Sequence, residues 1–197
     1  MKKYLLSLQN YCKKLFANEA TIGVLVTLGV MAIVVIIVLL IQAAQPKIVY
    51  QPDIACDMFT QDEAKEMLGD TVLHQTPASP TLQSGIATSK CSYTNQNPDQ
   101  DQMLVAAVAV RSAVDDSGTD KNTATFHVAA TAKEVQAVNG IAQRAFFNSK
   151  LGQLNILSGR NWIIVSYGVG ADPRSNTLDR AIELAQKVIA DPTLPTF

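Results

Sequence analysis

The sequence is poor in the residues that usually mark an enzyme site or a nucleic-acid-binding surface. Its 197 residues include three cysteines and two histidines, and only 17% are charged. Lysine and arginine do not cluster with aromatic residues, which make up 6% of the chain, and the formal net charge is −1. The electrostatic pattern of a nucleic-acid-binding protein is missing, so we expect no nucleic-acid partner.

Short motifs of common catalytic and cofactor sites are also missing. There is no Gly-Xaa-Ser-Xaa-Gly motif, no phosphate-binding loop and no pair of histidines at helical spacing. Gly168-Val169-Gly170 follows a predicted strand but has no third glycine, which argues against dinucleotide binding. Asp115, Asp116 and Asp120 miss the alternating spacing of a calcium loop and favour a plain acidic turn.

Three other residues could carry chemistry but have simpler interpretations. His127 could act as a general base, yet no nucleophile is tied to it by sequence, so a surface or partly buried histidine is favoured. Trp162 and Tyr167 could line a ligand cavity, but aromatic residues at alternating strand positions are more often core. We therefore expect no catalytic residue, no metal and no cofactor. The protein is predicted not to be an enzyme.

One long apolar run is present. From Ala20 to Ala44, 25 consecutive residues carry no charge, and within Ile22–Ile41 only Thr27 is polar. A helix of about 20 residues covers the roughly 30 Å hydrocarbon core of a bilayer. The run predicts a single transmembrane helix over residues 22–44, with the lipid bilayer as a partner.

Flanking charges predict how this helix is oriented. Residues 1–21 carry four lysines and one glutamate, so the positive-inside rule keeps them in the cytoplasm and exports the rest. A cleaved signal peptide ending near Ile41 and Ala43 is the alternative, but the long leading segment and long apolar core favour an uncleaved signal anchor. Cys12, on the cytoplasmic side, could be acylated, although a reduced free thiol is favoured.

The other two cysteines, Cys56 and Cys91, both fall in the exported part. An even pair in an oxidising compartment predicts a disulfide. Closing a loop of this length is expected to stabilise the fold by about 3–4 kcal/mol. His74 and His127 are distant in the sequence and have no ligand spacing with the cysteines, so metal binding is disfavoured.

The exported part divides into three segments. Residues 45–55 contain two prolines and predict an extended stalk, residues 56–191 a folded domain, and residues 192–197 a C-terminal tail behind Pro192. No internal repeat is present. The balance of charge after residue 44 is −4, scattered as on a solvated surface.

Helices are predicted at the beginning and end of the domain. Thr60 and Glu63 have the spacing of a capping box, and Gly69 is placed to end that helix. Residues 122–133 favour a helix, with a strand as the open alternative. The last helix is predicted to be capped by Asn176. Its apolar stripe is Leu178, Ala181, Ile182, Ala185, Val188 and Ile189.

Five segments are predicted to be strands because they are apolar or alternate in polarity. They are Ile86–Asn95, Met103–Val110, Gly140–Phe147, Leu151–Ser158 and Asn161–Val169. Residues 70–85 predict a flexible loop, Asp115–Gly118 a turn, and Gly159-Arg160 a two-residue hairpin turn. The predicted fold class is α+β: an antiparallel sheet of about five strands with two or three helices, preceded by the single transmembrane helix.

Several short signatures resemble a known family. They are Cys56-Asp57-Met58-Phe59-Thr60, Glu63-Ala64, Leu68-Gly69, Cys91-Ser92-Tyr93 and the run Val138–Phe146. Over residues 53–190 the chain resembles small actinobacterial cell-envelope lipoproteins of unknown function and the related extracytoplasmic sensor domains of bacterial receptor kinases. The resemblance implies a disulfide-linked α+β domain and transfers no catalytic residue. The lipoproteins are held by a lipidated cysteine, whereas this chain has an apolar helix.

Together these features predict a non-catalytic binding or sensor domain, anchored by a single membrane span and exposed outside the cytoplasm of a bacterial cell. Its ligand or envelope protein partner is not indicated by the sequence. The alternative is a structural or assembly subunit of an envelope or pilin-like complex. The prepilin cleavage site and the acidic residue early in the mature helix are missing, which counts against a pilin.

Overall fold

The computed structural model describes residues 28–38, 48–75, 79–95, 103–170 and 172–189. The chain divides into two compact units, Met1–Lys47 and Ile48–Phe197. In the first unit, residues 28–38 are helical and exposed. The helices in the described part of the chain are all too short or too polar to cross a membrane. Residues 22–27 and 39–44 of the predicted span lie outside the described residues.

Other predictions also fall outside the described residues. These are the predicted cytoplasmic segment 1–21 with Cys12, and the predicted C-terminal tail 192–197.

The second unit is an α+β domain with an antiparallel sheet, as predicted, but the sheet has eight strands rather than about five. Four helices, rather than two or three, accompany it within the described residues. The elements in chain order are α1 (Ala55–Met58), α2 (Gln61–Leu68), β1 (Val72–Gln75), β2 (Thr81–Gln83), β3 (Ile86–Asn95), β4 (Leu104–Ala113), α3 (Asp116–Ala129), β5 (Val135–Val138), β6 (Arg144–Asn148), β7 (Gln153–Ser158), β8 (Asn161–Val169), a 3₁₀ turn (Pro173–Ser175) and α4 (Leu178–Ile189).

The strands lie in the order β1-β3-β4-β8-β7-β6-β5, and β2 also pairs with β3. All pairings are antiparallel. β1 pairs with the last residues of β3 and β2 with its first residues, so two short strands share one edge of the sheet. The apolar strand β4 is central, between β3 and β8.

Three strands were missed because their sequences are too short for a pattern to show. The predicted loop at residues 70–85 contains β1 and β2, and β2 has only exposed residues. β5 was also missed. Residues 140–143 form a bend, so the strand predicted over Gly140–Phe147 begins only at Arg144. Cross-strand hydrogen bonds define these short strands, not local sequence.

Strands β3 and β8 have the predicted bounds. Gly159 occupies the first position of the hairpin turn before β8 with φ 55°, a backbone conformation that glycine adopts without strain. The predicted alternation of β8 is also confirmed. Ile163, Val165 and Tyr167 belong to one buried cluster, and Trp162 and Ile164 belong to the other.

Helices cover both faces of the sheet. α1, α2 and α4 contribute to the larger cluster, together with buried residues of β4 and β8 such as Val108 and Val165. α3 covers the opposite face, where Phe126 packs with Phe146 and Trp162. Both faces of the central strands are therefore removed from water, which is the main source of stability for such a domain.

The structure confirms one local prediction near the start of the domain and corrects another. The capping box of α2 is confirmed, because the Thr60 side chain accepts from the Glu63 backbone N–H and the Glu63 carboxylate accepts from the Thr60 backbone N–H. The turn predicted over Asp115–Gly118 is wrong: Asp115 caps α3 and accepts from the Gly118 N–H at 2.6 Å. The helix favoured over residues 122–133 is confirmed over residues 122–129. It starts earlier than predicted, at Asp116, and ends earlier, at Ala129.

Gly118 explains why α3 can begin so close to the sheet. A Cβ atom at this position would overlap the backbone carbonyl of Gly85, in the turn between β2 and β3. The helix N-terminus therefore packs directly on that turn, an approach that only a residue without a side chain permits.

The cap of the last helix lies one residue later than predicted. The Thr177 hydroxyl, not Asn176, accepts from the backbone N–H of Arg180 at 3.4 Å. Asn176 instead ends the preceding 3₁₀ turn. The predicted stripe packs against the larger cluster, and the fully buried Leu184 belongs to it as well.

The described part of the predicted stalk, residues 48–55, belongs to the same compact unit as the sheet. The Tyr50 N–H donates to the Val114 carbonyl at 2.8 Å. Arg160 donates to the Gln51 carbonyl and, at 2.9 Å, to the Asp53 carboxylate. These contacts hold the chain against the sheet before α1 begins.

We expect Leu184→Ala to lower the free energy of unfolding by roughly 2–5 kcal/mol, because a fully buried leucine is lost from the larger cluster. Urea unfolding of the full chain in detergent, followed by fluorescence of its single tryptophan, Trp162, measures this. Leu151→Ala is the control: Leu151 is 50% exposed, so we expect a change within about 0.5 kcal/mol. Equal effects of the two substitutions would contradict the packing described for α4.

Candidate functional site

The predicted disulfide is present and joins α1 to the middle of β3. Cys56 lies in α1, Cys91 lies near the centre of β3, and their Cα atoms are 5.0 Å apart. Cys91 is fully buried, whereas Cys56 is partly exposed. The bridge closes a loop that contains α2, β1 and β2, so a covalent bond holds these short elements near the sheet.

His74 lies directly beside this disulfide. Its Nε2 atom is 3.5 Å from Sγ of Cys56 and 3.5 Å from Sγ of Cys91. The position follows from strand register: His74 pairs with Tyr93, and Tyr93 shares a face of β3 with Cys91 two residues earlier. The sequence separation hid this neighbourhood. The contact between His74 and the two cysteines could have been predicted only if β1 had been recognised as a strand that pairs with β3.

Aromatic contacts fix the orientation of the His74 imidazole. The ring stacks on Tyr93 with centroids 4.7 Å apart and planes 26° apart. Tyr93 in turn makes an edge-to-face contact with Phe59 at 5.2 Å. Because Tyr93 and Phe59 are buried, the histidine rests on a rigid base with one nitrogen directed at both sulfurs.

A second site is a cavity of about 400 Å³ at the edge of the sheet, between α3, β5, β6 and the segment joining these two strands. Buried Phe126 and Phe146 are among its lining residues. Arg144 and His127 also line it, with Arg144 Nη1 3.2 Å from His127 Nδ1. Arginine only donates, so His127 Nδ1 is the acceptor in this contact.

The cavity combines an apolar floor with one cation. None of the described residues that line it is acidic, so the charge of Arg144 is not neutralised within the cavity. The guanidinium fork matches a carboxylate or phosphate. His127, considered as a general base, lies here without a serine, threonine or cysteine among the described lining residues. Arg144 was not singled out in the sequence, because a lone arginine carries no motif.

Two members of the acidic triplet, Asp115 and Asp116, have structural contacts. Asp115 caps α3. Asp116 accepts from the Tyr50 hydroxyl at 2.7 Å, which helps to hold the segment before α1. Within the described residues, the group of three possible metal ligands that lies close together is Cys56, His74 and Cys91.

The remaining candidates are part of the core. Trp162 donates through Nε1 to Asn155 Oδ1 at 3.0 Å, and the Tyr167 hydroxyl donates to the Met67 carbonyl at 3.2 Å. Both aromatic side chains are buried, as predicted. A side chain at Gly168 would overlap the side chain of Asn176, so packing alone accounts for a glycine at this position and no bound nucleotide is needed to explain it.

Comparison with protein-family models, with curated proteins and with solved structures found no significant match to this chain. The chemistry of the two sites is therefore inferred from their own geometry.

Burial gives Tyr93 a measurable signature. Burial first, and then the negative charge of Glu63, raise the pKa of Tyr93 above its ordinary value of about 10. The folded state keeps the phenol protonated while the unfolded state loses the proton. The resulting stability is present below pH 10 and declines as the pH rises above it.

We expect Glu63→Gln to lower the Tyr93 pKa, because it removes the smaller of these two causes while glutamine preserves the capping box. Absorbance of tyrosinate near 295 nm during alkaline titration measures the shift, and Tyr93→Phe assigns the signal. Glu66→Gln on the same helix is the control and should leave Tyr93 unchanged. An unchanged titration in Glu63→Gln would show that the carboxylate does not act on Tyr93.

Proposed function

We propose that this chain is a non-catalytic binding or sensor domain of a bacterial cell envelope. It is anchored by one membrane span, with the N-terminus in the cytoplasm and the domain outside it. The observation that carries the binding function is the cavity lined by Arg144, His127, Phe126 and Phe146. The expected ligand is a small molecule with an anionic group for Arg144 and an apolar part for the floor.

Sequence and local structure support the anchor. The uncharged stretch Ala20–Ala44 is long enough to cross a bilayer as a helix. The part of it that the structure describes, residues 28–38, is helical and displays apolar side chains such as Met31 at 68% exposure. Such a surface needs an apolar environment, which a bilayer provides.

The disulfide supports the location of the domain outside the cytoplasm. Disulfides persist in oxidising compartments and are rare in the cytosol. The Cys56–Cys91 bridge is in the compact unit that follows the apolar stretch. The lysines before the stretch favour the same orientation.

The chemistry of the cavity supports binding rather than catalysis. Arg144 can orient an anionic group while Phe126 and Phe146 bury the rest of the ligand, an arrangement of apolar surface with few polar contacts that is typical of ligand sites. The volume, about 400 Å³, is in the range of small-molecule sites.

Native mass spectrometry of the full-length protein, gently extracted from its own membrane, tests the binding function. We expect a discrete additional mass of small-molecule size on the wild-type chain, lost in Arg144→Ala because the anionic group loses its counterion. Arg174→Ala is the matched control, since Arg174 is exposed and pairs with Asp172 at 3.0 Å on a different surface. A mass that fits only a protein complex would instead favour an assembly subunit.

Protease protection tests the orientation. In spheroplasts, we expect external protease to remove an epitope placed after Phe197 and to leave one placed before Met1, because only the C-terminal domain is outside. Detergent-opened spheroplasts, in which both epitopes are digested, are the control. Protection of the C-terminal epitope would place the domain in the cytoplasm and contradict the proposal.

A further inference from the structure

Three side chains from three different elements converge where the disulfide lies. Cys56 comes from α1, His74 from the edge strand β1 and Cys91 from β3. Their sulfur and nitrogen atoms all lie within 4.8 Å of one another. The cavity of the proposed function shares no lining residue with this cluster, so the two sites are independent.

Contacts other than the disulfide also direct the His74 imidazole at the sulfurs. The stacking on Tyr93 and the register of β1 with β3 hold it in place. A disulfide sulfur carries no proton and is a weak acceptor, so it gains little from the imidazole nitrogen at 3.5 Å. The same nitrogen is well placed as a third donor beside two thiolates.

We propose that Cys56, Cys91 and His74 form a redox-controlled site for a thiophilic d¹⁰ cation, Zn²⁺ or Cu⁺. An external dithiol or phosphine first reduces the bridge. With a phosphine, one water molecule supplies the oxygen of the phosphine oxide and the two thiol protons. With a dithiol, two electrons and two protons pass to the cysteine sulfurs, the S–S bond breaks, and the dithiol becomes a disulfide. The cation then replaces the two thiol protons, which leave to water, and His74 binds through Nε2.

The donor set determines the class of metal. Two thiolates and one imidazole are soft or borderline ligands that suit Cu⁺ and Zn²⁺, whereas Mg²⁺ and Ca²⁺ require oxygen ligands. Cu⁺ is satisfied by three donors. Zn²⁺ prefers four, and because His74 is exposed, water can reach the fourth position.

Burial of Cys91 makes the cation necessary. A thiolate at this fully buried position is costly unless a positive charge compensates it. A bound cation supplies that charge and again links α1 to β3, so either the disulfide or the metal closes the same loop. The reduced, metal-free domain has neither link and is the least stable of the three forms.

Metal titration of the full chain in detergent tests the site. All variants carry Cys12→Ser so that the third cysteine does not contribute. Oxidised and phosphine-reduced protein are titrated with Zn²⁺, and separately with Cu⁺, against a chromophoric chelator. We expect one cation per reduced chain for at least one of the two metals, and none for the oxidised chain.

Substitution of His74 separates ligation from folding. His74→Ala should weaken binding by roughly tenfold or more, the scale on which metal sites respond to loss of a supporting group. His127→Ala, which changes the other histidine, should leave it unchanged. His74→Cys supplies a third thiolate and should restore binding, which a merely structural histidine would not allow.

Thermal unfolding provides a second readout. The cation should raise the melting temperature of the reduced wild-type chain, leave the oxidised chain unchanged, and fail to stabilise reduced His74→Ala. The proposal is overturned if the reduced chain binds neither Zn²⁺ nor Cu⁺ more tightly than Cys56→Ser/Cys91→Ser. It is also overturned if His74→Ala binds as tightly as wild type, or if His74→Cys does not recover the loss.

Discussion

Burial of both faces of β8 is the constraint on which the rest of the domain depends. Ile163 and Val165 point into one cluster and Trp162 into the other. A sheet that is apolar on both faces has to be covered twice. α4, with α1 and α2, covers the first face, and α3 covers the second. Each candidate site is associated with one of these helices. The disulfide cluster includes Cys56 of α1, and the cavity lies beside α3.

The sequence predicts those elements that carry their own pattern. β8 alternates over nine residues, and α2 has a complete capping box, so both could be predicted with their bounds. β1, β2 and β5 have only three or four residues each and depend on a partner strand. α3 was ambiguous because its sequence has a weak amphipathic pattern and its N-terminal cap is Asp115, a residue that also suits a turn.

The two sites differ in how far the sequence could reveal them. The Cys56–Cys91 pairing follows from cysteine number and compartment, and it is confirmed. The approach of His74 depends on register within an edge strand that local pattern does not show. The role of Arg144 could not be predicted for a similar reason. Its contact with His127 forms only because the end of α3 packs near the start of β6. A site that tertiary packing assembles from isolated residues has no motif in the sequence.

The disulfide has a mechanical consequence for the start of the domain. Tension applied to the chain before residue 48 would first load the hydrogen bonds of Tyr50 and the Asp53–Arg160 ion pair. If these contacts break, the chain can peel away only as far as Cys56, where a covalent bond leads directly to the middle of β3. In the oxidised form, the tension is therefore transmitted through the disulfide to the centre of the sheet. In the reduced form, it is transmitted along the chain to α2 and the edge strand β1. Force and redox state act on the same few residues.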